Sequence, residues 1–453
     1  MRFNPINPVS VCALSLVTSV SLNLSYAEEV TRATTIIKSD HYSLTNNLYN
    51  QGSVMSYDEN AVQELGSAFS IDYIDPGGSG MDAYVQGTVG GVKAGGKWHP
   101  GNVSLTGMPV KIANLDHSLR LQWKTFQQNA SDSNDKWWAT INVIFDAGEQ
   151  NLEPVAADRD FDLVIQLESY QQVDLTDKVK ADNKSYWWFA RNEDNTLKPF
   201  SLTIEGTEYQ WAVRYKFFQN SGDSDNKVHI KFIPIDHTQV APYLDHSLKL
   251  FIDIGKEYLN YLDLPSEEDA LATLKVAEPD LWIKSGRAGY EVYSGEFTVG
   301  NEYFKTEIDI TAPSKPGSLT VELIEDKLEL SWDEDDSDAI AFYQLYRSID
   351  GSSFELVNDN VYSNSYTDQF DSAMSKYEYY VVAVDRSFNE STNSEIATFS
   401  SEQTEQEQEQ EQEQEQEQEQ EAATEQEKSD SSGGAIYWLW LSLIALCRNK
   451  QHD

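Results

Sequence analysis

The sequence predicts an all-β protein built from two sandwiches. Three observations carry that reading. Apolar and polar residues alternate with period 2 along many short runs. Clusters of Asn, Asp, Ser and Gly separate the runs, as in Asn220-Ser221-Gly222-Asp223. Only residues 267–274 read as a helix. The longer segment, 28–311, holds predicted strands at 117–126, 137–145, 161–170, 210–218 and 228–235. Many strands with few helices imply a two-sheet jelly roll with one concave face. After Pro313 and Pro316 come three more alternating runs, at 327–332, 342–347 and 377–385. They predict a second, smaller sandwich over 312–400.

Charge narrows the function classes. The chain of 453 residues holds 33 basic against 75 acidic side chains, a net charge of −42. Phosphate backbones and anionic lipid heads would repel it, so no nucleic-acid partner is expected. Its two cysteines, Cys12 and Cys447, lie near the ends. The body therefore offers no disulfide and no Cys-based metal site. No cofactor and no metal are expected. The seven histidines are scattered, and no His-Glu-x-x-His pair or Gly-x-Ser-x-Gly elbow occurs. The glycines from Gly90 to Gly96 are not placed between a strand and a helix, as a phosphate cradle requires.

Both ends read as addresses. Residues 1–27 have the form of a signal peptide: Arg2, a largely apolar run, then Ser25-Tyr26-Ala27 as a small-x-small cleavage site. Residues 401–430 are a Glu/Gln-rich spacer carrying 13 acids and one Lys, with no large apolar side chain to face a core. In 431–453, Gly433-Gly434 precede a mostly apolar run of 13 residues and then Arg448 and Lys450. As a helix that run spans about 20 Å, short of the roughly 30 Å hydrocarbon core. The order resembles the Gly-Gly C-terminal sorting tails of Gram-negative bacteria. That resemblance implies a sorting protease, type II secretion and display at the cell surface.

The smaller sandwich resembles a fibronectin type III domain, an immunoglobulin-like fold, over about 85 residues. Trp332 would be its core tryptophan and Tyr377 its corner tyrosine.

In the large module, carboxylates alternate with aromatics along the strands. Aromatic faces stack on pyranose rings, and paired carboxylates can cleave a glycosidic bond. Trp137, Trp138, Trp187 and Trp188 form adjacent pairs, so one of each pair faces the core. The ordered motifs are more specific. Tyr42-x-x-x-Asn46-Asn47-Leu48-Tyr49 opens the module, and Ala83-Tyr84-Val85-Gln86-Gly87 follows. Then come Met108-Pro109-Val110, Asn142-Val143-Ile144-Phe145-Asp146, Phe161-Asp162-Leu163-Val164-Ile165-Gln166-Leu167 and Tyr209-Gln210-Trp211-Ala212-Val213. Ala288-Gly289-Tyr290-Glu291-Val292-Tyr293-Ser294-Gly295 closes the series. In this order they resemble glycoside hydrolase family 12, a family of concanavalin-like β-jelly-roll endoglucanases and xyloglucanases that act with retention.

The resemblance implies Glu291 as general acid/base, Asp162 at the nucleophile position and Asp146 as their acidic neighbour. The family has Glu, Met and Trp where this chain has Asp162, Val164 and Gln166, and a platform Trp where it has Tyr49. Asn47, Tyr49, Trp138, Gln166 and Glu168 are the expected substrate contacts. Period 2 puts Asp162, Val164, Gln166 and Glu168 on one strand face. The expected function is a secreted, surface-retained endo-hydrolase of a β-glucan or xyloglucan, acting as a monomer. The alternatives on the same scaffold are a non-catalytic glycan-binding protein and a surface adhesin.

The tail gives the first testable expectation. Mass spectrometry of the protein from its native host should place the mature C-terminus near Gly433-Gly434. A chain still ending at Asp453 would remove the sorting reading.

Overall fold

A computed structural model describes residues 28–30, 35–38, 42–48, 53–57, 68–74, 81–94, 97–99, 106–128, 135–146, 161–179, 185–218, 227–263, 279–333 and 340–401. The fold is all-β and sandwich-like, as expected. The chain divides into two compact units, with the main boundary between Lys315 and Pro316.

Two large sheets build the first unit, with a two-stranded pair, Val92–Ala94 and Lys97–His99, beside them. One has six strands, in the order Glu28–Val30, Ser53–Tyr57, Phe69–Ile74, Glu296–Ile308, Leu119–Gln128 and Leu244–Ser247. The other has twelve. Its centre runs Ser185–Phe189, Thr207–Phe218, Lys227–Pro234, Phe161–Ser169, Lys136–Asp146, Trp282–Ser294, Ala83–Gly90 and Tyr42–Leu48. The strands expected at 117–126, 137–145, 161–170, 210–218 and 228–235 all form, with no end shifted by more than three residues. Neighbouring strands are antiparallel except Phe161–Ser169 with Lys227–Pro234, which run parallel.

The core lies where the alternating apolar faces meet. Trp137, Ala139, Ile141, Val143 and Phe145 of one strand pack with Leu163 and Ile165 of the next and with Ala288, Tyr290 and Val292. Trp123, Phe297 and Phe304 reach in from the six-stranded sheet.

The sequence reading missed one helix, Leu248–Glu257. Its buried residues are Leu248, Phe251, Ile252 and Gly255, the i, i+3, i+4, i+7 stripe of an amphipathic helix. It is only ten residues long, and polar residues break its apolar run. Phe251 meets Phe232 edge to face at 5.2 Å, which docks the helix against the twelve-stranded sheet. The helix expected at 267–274 lies outside the described residues.

The second unit is made by a three-stranded and a four-stranded sheet. Thr320–Ile324, Lys327–Ser331 and Ser365–Gln369 form the first. Glu355–Val361, Ile340–Ile349, Lys376–Asp385 and Ala397–Ser400 form the second. Trp332 and Tyr377 are both buried. The Tyr377 hydroxyl accepts from the Asp371 backbone N–H at 2.9 Å, six residues upstream. That bond ties a loop to the sandwich, as a corner tyrosine does.

One glycine fixes a close approach in the large sheet. Gly289 stands opposite Gln86, and a Cβ on it would lie 1.9 Å from the Val85 carbonyl oxygen. Only a residue without Cβ lets these two strands meet. Gly289→Ala should cost about 3 kcal/mol, the upper end of overpacking, and lower the melting midpoint by roughly 10 °C. A thermal melt unchanged from the parent would contradict this close approach.

Candidate functional site

The outer face of the twelve-stranded sheet carries Glu291, Trp138, Gln166 and Asp162, and strand register arranges them in rows. Trp138 pairs with Glu291, and Glu291 with Tyr84. The next row is Gln166, Thr140, Gly289 and Gln86. Then Arg214, Lys231, Val164, Asn142, Arg287 and Thr88 cross six strands. A fourth row runs Trp187, Lys216, His229, Asp162, Ile144 and Ser285. At one end of this face Phe189, Ala212 and Ile233 form a small core with Val173, Leu175 and Leu197.

Glu291 is half-buried and held in place. The Tyr293 hydroxyl donates to its carboxylate at 3.0 Å. The rings of Tyr293 and Trp138 lie 5.0 Å apart. Burial first, and then the charge of Glu291, pushes the Tyr84 and Tyr293 phenols well up, so both stay protonated donors. The Asn142 amide donates to the Tyr84 hydroxyl. A carboxylate, two phenols and an indole therefore cluster on this face, a set suited to a pyranose ring and its hydroxyls.

Asp162 is elsewhere. It stands opposite Ile144, whereas Glu291 stands opposite Trp138, six residues along the same intervening strand. At roughly 3.4 Å per residue this is about 20 Å. Asp162 instead lies 3.0 Å from His229 Nε2. The register does not bring the two acids together. Asp146 stands opposite Trp282 in the backbone register, but its side chain lies outside the described residues. Tyr49 and the side chain of Asn47 also lie outside them. Trp138 is on the open face, whereas Trp137 is in the core, as the paired tryptophans suggested.

Gln166 is completely buried. Glu168 corrects the expectation of one shared strand face. Ala139 pairs with Glu168 but Thr140 with Gln166, so Leu167 is an extra, bulged residue. A bulge breaks the period of 2. It turns Glu168 to the core side, where the Tyr290 hydroxyl donates to it at 3.0 Å. Glu168, Trp137, Tyr170 and His237 help line a cavity of about 520 Å³ there.

The sequence reading missed the basic residues of the open face. Lys231 is 9% exposed, and burial pushes its ammonium down to about 8 against the pull of Glu291. Its Nζ lies 4.9 Å from the Trp138 ring. Arg214 is likewise lowered by burial. Arg214 and Lys216 each sit 5.7 Å from the Trp187 ring. A signal did exist: Arg214-x-Lys216 and His229-x-Lys231 alternate with core residues on adjacent strands.

No family model and no curated protein matches the chain. Among solved structures, it is similar to a native family 12 xyloglucanase from Bacillus licheniformis, at 12% identity and TM-score 0.41, covering 62% of this chain and 100% of that one. It is also similar to an endoglucanase from Rhodothermus marinus, at 18% identity and TM-score 0.40, covering 62% and 99%. A Trichoderma harzianum family 12 endoglucanase follows at 12% identity and TM-score 0.39, covering 63% and 99%.

Glu168 gives a prediction independent of function. It is 3% exposed, and burial raises its pKa despite the bonds from Tyr290 and Thr125. The folded state thus holds this proton more tightly than the unfolded chain does. Its contribution to stability falls as pH rises from the ordinary Glu range to its raised value. Glu168→Gln keeps the shape and an acceptor for Tyr290. It should melt above the parent near pH 8, with the gap closing towards pH 4. A gap that is the same at both pH values would mean the buried charge carries no cost.

Proposed function

We propose that the outer face of the twelve-stranded sheet binds a polysaccharide and that the protein hydrolyses a β-linked glycan, with Glu291 as proton donor. One observation carries the reading: Glu291 sits in that face, bonded by Tyr293 and flanked by the rings of Trp138 and Tyr293. A glycosidic oxygen beside Glu291 would receive the proton, while the aromatic rings hold the sugar planes. Secretion through the signal peptide and surface display through the Gly433-Gly434 tail belong to the same proposal, since a polysaccharide is met outside the cell.

The retaining mechanism is not carried forward through Asp162. Retention needs its two carboxyls roughly 5–5.5 Å apart, and inversion roughly 6.5–9.5 Å. The register sets Asp162 about 20 Å from Glu291 along the strands. That observation favours a second reading, a glycan-binding protein that does not cleave.

One experiment separates the two. The full chain is incubated with β-glucans, xyloglucan and other β-glycans, and both products and binding are measured. Hydrolysis that falls about 10²–10⁴-fold in Glu291→Gln, with binding kept, supports the proton-donor role. Binding without products supports the second reading. Parent-level hydrolysis by Glu291→Gln places the acid elsewhere.

A further inference from the structure

We propose that the outer face of the twelve-stranded sheet is built for an acidic polysaccharide, one whose pyranose rings carry carboxylate or sulfate groups. The inference rests on the glycan reading above and names the substrate class.

The charge of the face opposes the charge of the chain. Acidic residues outnumber basic ones by 75 to 33 overall. In the four rows from Trp187 to Tyr84 the balance reverses. Arg214, Lys216, Lys231 and Arg287 stand there, with His229, against the carboxylates of Asp162 and Glu291. Three of the cations share a single row. Arg214 is directly opposite Lys231, and Arg287 lies three strands beyond Lys231, roughly 14 Å across the sheet. Such a row would meet successive charges along a chain laid across the strands.

Burial makes two of these cations, Lys231 and Arg214, costly to keep. A buried charge is unfavourable unless an opposite charge or hydrogen bonds compensate it. Lys231 is 9% exposed, and the Nε of Arg214 is buried without a hydrogen-bond partner. Burial outweighs Glu291 at both, since both cations are shifted towards their neutral forms. Glu291 alone therefore does not offset them. A neutral glucan brings only hydroxyl groups. A uronate or sulfate brings the missing charge and accepts from guanidinium and ammonium donors.

The aromatic rings fit the same ligand. Lys136 and Lys231 flank Trp138, and Arg214 and Lys216 flank Trp187. An acidic sugar presents apolar C–H faces and a charged edge together. A ring beside two cations matches that pair of surfaces.

The net charge of −42 makes the test clean, because it opposes indiscriminate adhesion to a polyanion. The full chain is run by affinity electrophoresis in gels containing a polyuronate, a sulfated galactan or a neutral β-glucan, at about 50 and 300 mM salt. At least one acidic polymer should retard it more than the neutral one does, and the higher salt should weaken that binding. Lys231→Met and Arg287→Gln should each weaken it about 10–100-fold, the loss of one charge-assisted hydrogen bond. Melting curves check folding, and Arg287 is the more exposed of the two sites. The polyuronate and galactan gels tell carboxylate from sulfate. Equal, salt-insensitive retardation by the neutral glucan would overturn the acidic specificity while leaving the glycan reading intact. Acidic binding unchanged in both variants would put the site elsewhere and overturn the proposal. No retardation in any gel would remove the glycan reading itself.

Discussion

The pairing of Trp282–Ser294 with Lys136–Asp146 is the constraint on which the site depends. Along the first of these strands Ala288, Tyr290 and Val292 enter the core, while Arg287, Gly289 and Glu291 face outward. A slip of one residue would exchange the two sets. Tyr290 makes the slip costly. Its ring packs 5.5 Å from Trp137, and its hydroxyl lies 3.1 Å from the Gly300 carbonyl and 3.0 Å from Glu168. Burying Glu291 in its place would put an acid among those rings. Glu291 thus stays outward because its neighbour in sequence is locked inward. Gly289 completes the arrangement by letting the Ala83–Gly90 strand approach closely.

Much of the fold was legible because alternation is a local property. Runs such as Val213 to Tyr215 and Ile230 to Phe232 declare their strands without reference to partners. The two-faced reading of Trp137 and Trp138 also followed from period 2 alone. Register was not legible, since it depends on which strands meet and at what offset. That is why Asp162 and Glu291, matched by motif order, lie at different levels of the sheet. The bulge at Leu167 was equally hidden. Nothing in Gln166-Leu167-Glu168 marks an extra residue, so Glu168 seemed to share the face of Asp162.

The cationic rows were legible in principle. Basic residues alternating with Val213, Tyr215, Ile230 and Phe232 cannot all lie on a solvated edge, because both strands are central in the sheet. Composition drew attention the other way. A net charge of −42 describes the whole surface, whereas a cleft is governed by the few charges that line it. Low-dielectric walls strengthen those charges further. An acidic body with a basic face keeps polyanions from the rest of the surface and admits them at one place.

The cation–aromatic pairs suggest how such a face would work. In the present arrangement Lys231 rests near Trp138, and Arg214 and Lys216 near Trp187. Each such contact is worth about 0.5–1 kcal/mol where water has access and about 2 kcal/mol where it is excluded, as at Lys231. A hydrogen bond to a charged group is worth about 1.5–3 kcal/mol. An anionic sugar whose charged group accepts two such bonds would therefore draw a cation from ring to ligand with a net gain. The same movement would uncover the ring for the apolar face of that sugar. Charge recognition and stacking would then be one event, and a neutral sugar could trigger neither half of it as strongly.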